Sequence, residues 1–247
     1  MSAIVHFYTA DLRDLFQVIG SADRELLSQI GVHMGLEFRA LADDDDEENY
    51  FESDEADTED LNWDYDEIEA DTAKEIITKM IMVGLPGDLS EDEAYAVQDF
   101  MAAYCQGEDR VQPLDADDII ESCELEDEDM AEAIRRCLNR GVGLDEFEDF
   151  LEWIVENDVS QELRTRVQML CLGRLPESED PTFPDPEEAY EARFGYLYSN
   201  EAAAVCDELD EIAEEASDEI GALPLIMAQL LYYCNTQSID LLVTIEE

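Results

Sequence analysis

The chain has 247 residues, 46% of them hydrophobic, and carries 67 Asp and Glu against 13 Lys and Arg, a formal net charge of −54. That much apolar material supports a core and argues against a disordered polyelectrolyte. The scarcity of bases disfavours nucleic acid and anionic membrane surfaces as ligands and favours cations and basic proteins, at a cost in self-repulsion that salt relieves.

Ala3–Thr9 is short, β-branched and aromatic, which predicts a strand. Asp11 predicts a helix cap, with Leu12, Leu15, Phe16 and Ile19 on one face and Gly20 as the stop. Ser21 or Asp23 opens a second helix with Leu26, Leu27 and Ile30 inward, loosened by Gly31 and Gly35. Then comes Ala42–Asp71, in which seventeen of thirty residues are acidic and none is basic. Its aromatics, Tyr50, Phe51, Trp63 and Tyr65, leave two readings open: a partly ordered loop tacked to the body through Leu61–Ile68, or disorder. Without those seventeen acids the chain would still carry −37, so the acidity belongs to the whole surface.

Asp71 reads as the N-cap of a helix carrying Ile76, Ile77, Met80 and Val83, ended by Gly84-Leu85-Pro86-Gly87. Ser90 and Glu93 form a capping box ahead of Ala94, Val97, Phe100, Met101, Tyr104 and Cys105 at helical spacing. After a loop with Pro113, Asp127–Arg140 predicts a helix with Met130, Ala133, Ile134, Cys137 and Leu138 inward. Asp145–Glu156 follows with Phe147, Phe150, Leu151, Ile154 and Val155, then a helix from Ser160 through Leu163, Val167 and Leu170 to Gly173. Prolines 176, 181, 184 and 186 mark a loop. Tyr196–Ser199 introduces a helix with Ala202, Val205, Cys206, Leu209, Ile212 and Ala213, and Pro224 suits the first turn of the last one, through Ile226, Met227, Leu230, Leu231 and Cys234. Ile239–Glu246 reads as a strand.

Two lone strands at opposite ends need partners, and the simplest arrangement pairs them. The expected fold is α+β: one predominantly helical domain with its terminal strands joined in a small sheet. Its expected segments are 1–41, with the strand and first helices, 42–71, an acidic, partly disordered insertion, and 72–247, a helical body ending in a strand.

The six cysteines have no Cys-x-x-Cys spacing and mostly occupy apolar helical positions, which reads as free thiols in a reducing cytosol. With only His6 and His33 besides, a zinc site has no support. Two segments carry carboxylates at the first, third and twelfth positions of a calcium loop, Asp64–Glu75 and Asp115–Glu126. Glu69 and Ile120 stand where such a loop needs Gly, so neither reads as one. Arg135, Arg136 and Arg140 sit where cations complement a helix dipole, the alternative being a dock for the chain's own acidic stretch or for an anionic ligand. No nucleophile elbow, phosphate loop or dinucleotide fingerprint occurs, so no catalytic residue, cofactor or metal is expected. The start lacks a basic and apolar leader and no apolar run approaches a membrane span, which predicts a soluble, cytoplasmic protein.

Three pieces resemble an uncharacterised bacterial family, a domain of unknown function distantly similar to the YfbM-like proteins. They are the opening strand with Asp11-Leu12 and Ile19–Asp23; Ile81–Pro86 with Tyr95 and Cys105; and Tyr196–Ser199 with the Val205/Leu209 helix and the last helix and strand. The resemblance implies an α+β cytoplasmic domain and supplies no catalytic residues.

Three functions fit the charge. The first is a non-enzymatic protein that binds a basic protein partner, its candidate patch being Asp43, Asp44, Asp45, Asp46, Glu47, Glu48, Asp54, Glu55, Asp57, Glu59 and Asp60. The second is a mimic of duplex DNA that occupies a DNA-binding protein, with rigid helices holding the carboxylates. The third is adaptation to a saline cytosol, with some other and conceivably enzymatic function.

Overall fold

In the computed structural model, which describes residues 3–27, 67–106, 111–182 and 194–246, the two ends of the chain meet. The first strand, β1 (Ile4–Ala10), leads into one helical turn, α1 (Leu12–Leu15), and a 3-10 turn at Phe16–Val18. Helices α2 (Glu67–Met82) and α3 (Glu91–Gln106) follow, then β2 (Gln112–Pro113), α4 (Ala116–Ser122) and α5 (Glu128–Arg140). Next come β3 (Val142–Gly143), α6 (Leu144–Glu156), α7 (Gln161–Cys171) and β4 (Phe194–Leu197). Helices α8 (Ser199–Ile220) and α9 (Leu223–Gln237) precede the last strand, β5 (Asp240–Glu246).

The fold is α+β and predominantly helical. Its sheet is antiparallel in the order β2-β1-β5-β4, with β3 also on β1. The expected pairing of the terminal strands is its spine: β1 and β5 run from Ile4 opposite Glu246 to Ala10 opposite Asp240. Leu241 to Ile245 are buried without interruption, so β5 is covered on both faces. On β1, Val5 and Phe7 are buried, and Phe7 meets Phe147 of α6 edge-on at 6.0 Å between ring centroids.

Three strands are additions to the sequence reading. Tyr196-Leu197, expected only as a lead into a helix, belongs to β4, which pairs with β5 from Phe194 opposite Thr244 to Leu197 opposite Leu241. Four residues are too few for periodicity to separate strand from helix; burial of all four against β5 decides it. At Gly195 an added Cβ would run into the Leu170 carbonyl at the end of α7, so the missing side chain sets how closely that helix approaches the sheet. The Pro113 loop contributes β2, which pairs with Tyr8 and Thr9, and β3 covers the other end of β1. A proline on an edge strand withholds a donor and discourages further pairing.

The described chain divides into two compact units, Met1–Leu15 with Cys105–Glu247, and Phe16–Tyr104. In the first, α8 and α9 pack along their length, burying Ala202, Val205, Leu209, Ala213 and Ala216 and, on α9, Ile226, Met227, Leu230, Leu231 and Cys234. Asp127 accepts from the Asp129 and Met130 amides, and Ser160 accepts from Leu163. Two apolar stripes differ from expectation. On α5 the buried residues are Ala131, Ile134 and Cys137, with Met130, Ala133 and Leu138 only half-buried. On α6 Trp153 is buried where Val155 was expected, and Val155 is exposed. Ile212 of α8 is half-buried.

In the second unit, the Asp23 carboxylate accepts from the Glu25 and Leu26 amides and Leu27 is buried. The Ser90 capping box closes reciprocally, Ser90 N donating to Glu93 at 2.8 Å and Glu93 N to Ser90 Oγ at 3.3 Å. That hydrogen bond from the Ser90 amide holds the Glu93 carboxyl below its ordinary pKa. Helix α2 starts at Glu67, so Asp71 lies within it and is no N-cap; the Glu-Ile-Glu-Ala run before Asp71 is itself helix-forming. Gly20, at φ 71, donates to the Met80 carbonyl and Ala22 to that of Ile81, joining Ile19–Asp23 to the end of α2.

Candidate acidic interface

The eleven carboxylates from Asp43 to Asp60 named in the sequence lie outside the described residues, as do Trp63, Tyr65 and His33. Among the described residues, exposed acids line α6 and α8, and Asp115–Asp129 carries nine more. Helix α8 holds nine acids in 22 residues and no base, and no Lys or Arg follows anywhere from Phe194 to the end. Seven of those acids are exposed: Asp207, Asp210, Glu211, Glu214, Glu215, Asp218 and Glu219. At 1.5 Å of rise per residue they cover about 18 Å of helix axis. Helix α6 adds Asp145, Glu146, Glu148, Asp149, Glu152 and Glu156, again without a base. The two helices pack against each other and are joined where Trp153 Nε1 donates to Glu219 at 3.0 Å. Glu208 fixes the turn before α7, accepting from Ser160 N at 2.6 Å and Ser160 Oγ at 2.5 Å.

This array was legible in outline. The buried residues of α8 recur at Val205, Cys206, Leu209, Ala213 and Ala216, which leaves the acids between them on the outer face. Only the packing of α6 beside α8 needed the structure.

Two of the bases, Arg166 and Arg174, are turned inward. Arg174, 2% exposed, is clamped at the root of α8 by Glu201, itself 9% exposed. Arg174 Nη1 donates to Glu201 Oε2 at 2.5 Å and Nη2 to Oε1 at 2.9 Å, while Nε donates to the Ser178 carbonyl at 2.7 Å. The guanidinium lies 4.5 Å over the Tyr196 ring and 5.4 Å from that of Tyr198. Burial works against the Arg174 charge, but the Glu201 hydrogen bonds and the two tyrosines outweigh it and raise its pKa. Arg166 reaches the same carboxylate at 2.8 Å, and Glu201 also accepts from the Tyr198 amide at 3.0 Å. Tyr196 completes the knot, its hydroxyl donating to the Leu175 carbonyl and accepting from the Glu177 amide. Burial pushes the Tyr196 phenol well above its usual range. With both carboxylate oxygens engaged by guanidinium groups, Glu201 staples the start of α8 to Arg166 and Arg174. Sequence reasoning missed it, because Arg166, Arg174 and Glu201 meet only after folding.

A second carboxylate joint lies at the start of β5. Asp240 accepts from Ser199 N at 2.9 Å and Leu12 N at 3.3 Å, closing the first turns of α8 and α1 together. Burial raises its pKa above 3.8, against the pull of those two amides.

Among the described residues, the ion pairs are Arg135–Asp117, Arg166–Glu162, Arg166–Glu201 and Arg174–Glu201. None reaches α8 beyond its first turn. Arg135 of the expected basic cluster therefore serves a local pair with Asp117. Asp115, first carboxylate of the second pseudo-calcium loop, is the N-cap of α4, accepting from Asp117 N at 2.8 Å. Among the described residues no group of three His, Cys, Asp or Glu is arranged to hold a metal ion. The cysteines are free and five of the six are buried. Burial lifts Cys123 to about 11 and Cys137 and Cys234 to about 12, so these are protonated thiols and poor nucleophiles at neutral pH. No helix among the described residues is long and apolar enough to cross a membrane.

No family model, curated protein or solved structure matches this chain.

Proposed function

We propose that this is a non-enzymatic interaction protein whose α6–α8 face engages a basic protein partner, with Asp43–Asp60 as a second source of charge. One observation carries the reading: twelve exposed acids, seven on α8 and five on α6, lie on two packed helices that carry no base. A surface of this kind raises the encounter rate with a cationic partner and repels anionic ones. Rigidity favours a narrower version, in which the partner is a DNA-binding protein. Seven exposed carboxylates along about 18 Å of one helix give roughly one charge per 2.6 Å, and the neighbouring helix adds to this, against about one per 1.7 Å for duplex DNA. Free, buried thiols support placing the protein in the cytoplasm. Kinship with the uncharacterised bacterial family distantly similar to the YfbM-like proteins is part of the proposal; the joining of Ile19–Asp23 to the end of α2 supports reading two of its sequence pieces as one structural motif.

The test is affinity capture from the host proteome with three baits: the full chain, the chain lacking 42–71, and a variant with Asp210, Glu211, Glu214, Glu215 and Asp218 changed to Asn or Gln. Captured proteins are then titrated individually at rising salt. The expected result is a basic protein whose affinity falls with salt and is lost in the helix variant. Capture of no basic protein, or undiminished binding by that variant, overturns the assignment. Thermal melts at low and multimolar KCl address salt adaptation, which predicts loss of the fold at low salt.

A further inference from the structure

We draw no further inference here: the strongest candidate, the carboxylate face of α6 and α8, belongs to the surface already described, and nothing in the structure shows what covers it.

Discussion

The two ends of α8 put the same chemical group to opposite uses. In its first turn Glu201 is buried, gripped by two arginines and by the Tyr198 amide. From Asp207 to Glu219 the carboxylates face water, and among the described residues none is in an ion pair. Buried charge is tolerable only when paired and hydrogen-bonded, and then it acts locally, beyond the reach of salt. Exposed charge has little local value, and its effects are long-ranged and screened. Arg166 and Arg174 fix backbone where desolvation makes them effective, leaving the outer surface unneutralised.

The largest test of the contrast breaks the inner end. Glu201→Gln leaves Arg174 as an uncompensated buried charge and should lower unfolding stability by about 3–5 kcal/mol, measured by urea denaturation, whereas Arg174→Met leaves Glu201 paired with Arg166 and should cost less. The loss should persist in molar KCl. A loss that salt abolishes would mean that the knot is solvated like the outer face.

Gly195→Ala changes no charge but drives a methyl into the Leu170 carbonyl behind the same strand. Overpacking of this kind costs about 1–3 kcal/mol. Full tolerance would show that α7 can retreat from the sheet and that the knot alone sets the spacing.

Asp240 sharpens the comparison, being intermediate between the two ends. Its folded pKa is raised by burial, so its stabilising contribution is complete below the unfolded value, near 3.8, and declines as pH rises through the folded value. Relative to Asp240→Asn, which lacks the titration, wild-type stability should therefore improve as pH falls from neutrality toward 3.8. Parallel melts of the two proteins across that range would read this, and a difference that grows toward neutrality would refute it.

The smallest effects belong to the outer face. Neutralising Glu211, Glu214, Glu215 or Asp218 singly should change stability by no more than about 0.5 kcal/mol, in the stabilising direction at low salt and vanishing at high salt. Partner affinity should fall with each substitution, so stability and binding would move in opposite directions.

Much of this molecule was readable residue by residue because the controlling interactions are local. Asp23, Ser90, Asp127 and Ser160 cap helices by reaching amides two or three residues away, and a pattern spanning four residues suffices to see them. The terminal strands could be paired because each carried a complete apolar signal and had few other candidates. Asp71 was misjudged as a cap because a strong capping residue also stood inside a helix-forming run, and the longer run prevailed.

What tertiary structure alone decided are the features made by residues remote in sequence. Phe194–Leu197 became a strand because β5 offered a partner 44 to 50 residues later, not through any period of its own. Arg174 meets Glu201 27 residues away, and Asp240 reaches Leu12 across 228. The sequence by itself determined the longer helices, the caps at Asp23, Ser90, Asp127 and Ser160 and the sign of the surface, because these follow from neighbours along the chain, whereas α4 was not read from it. Which carboxylates are buried staples and which form an exposed array was decided by folding, because only folding removes water from some of them.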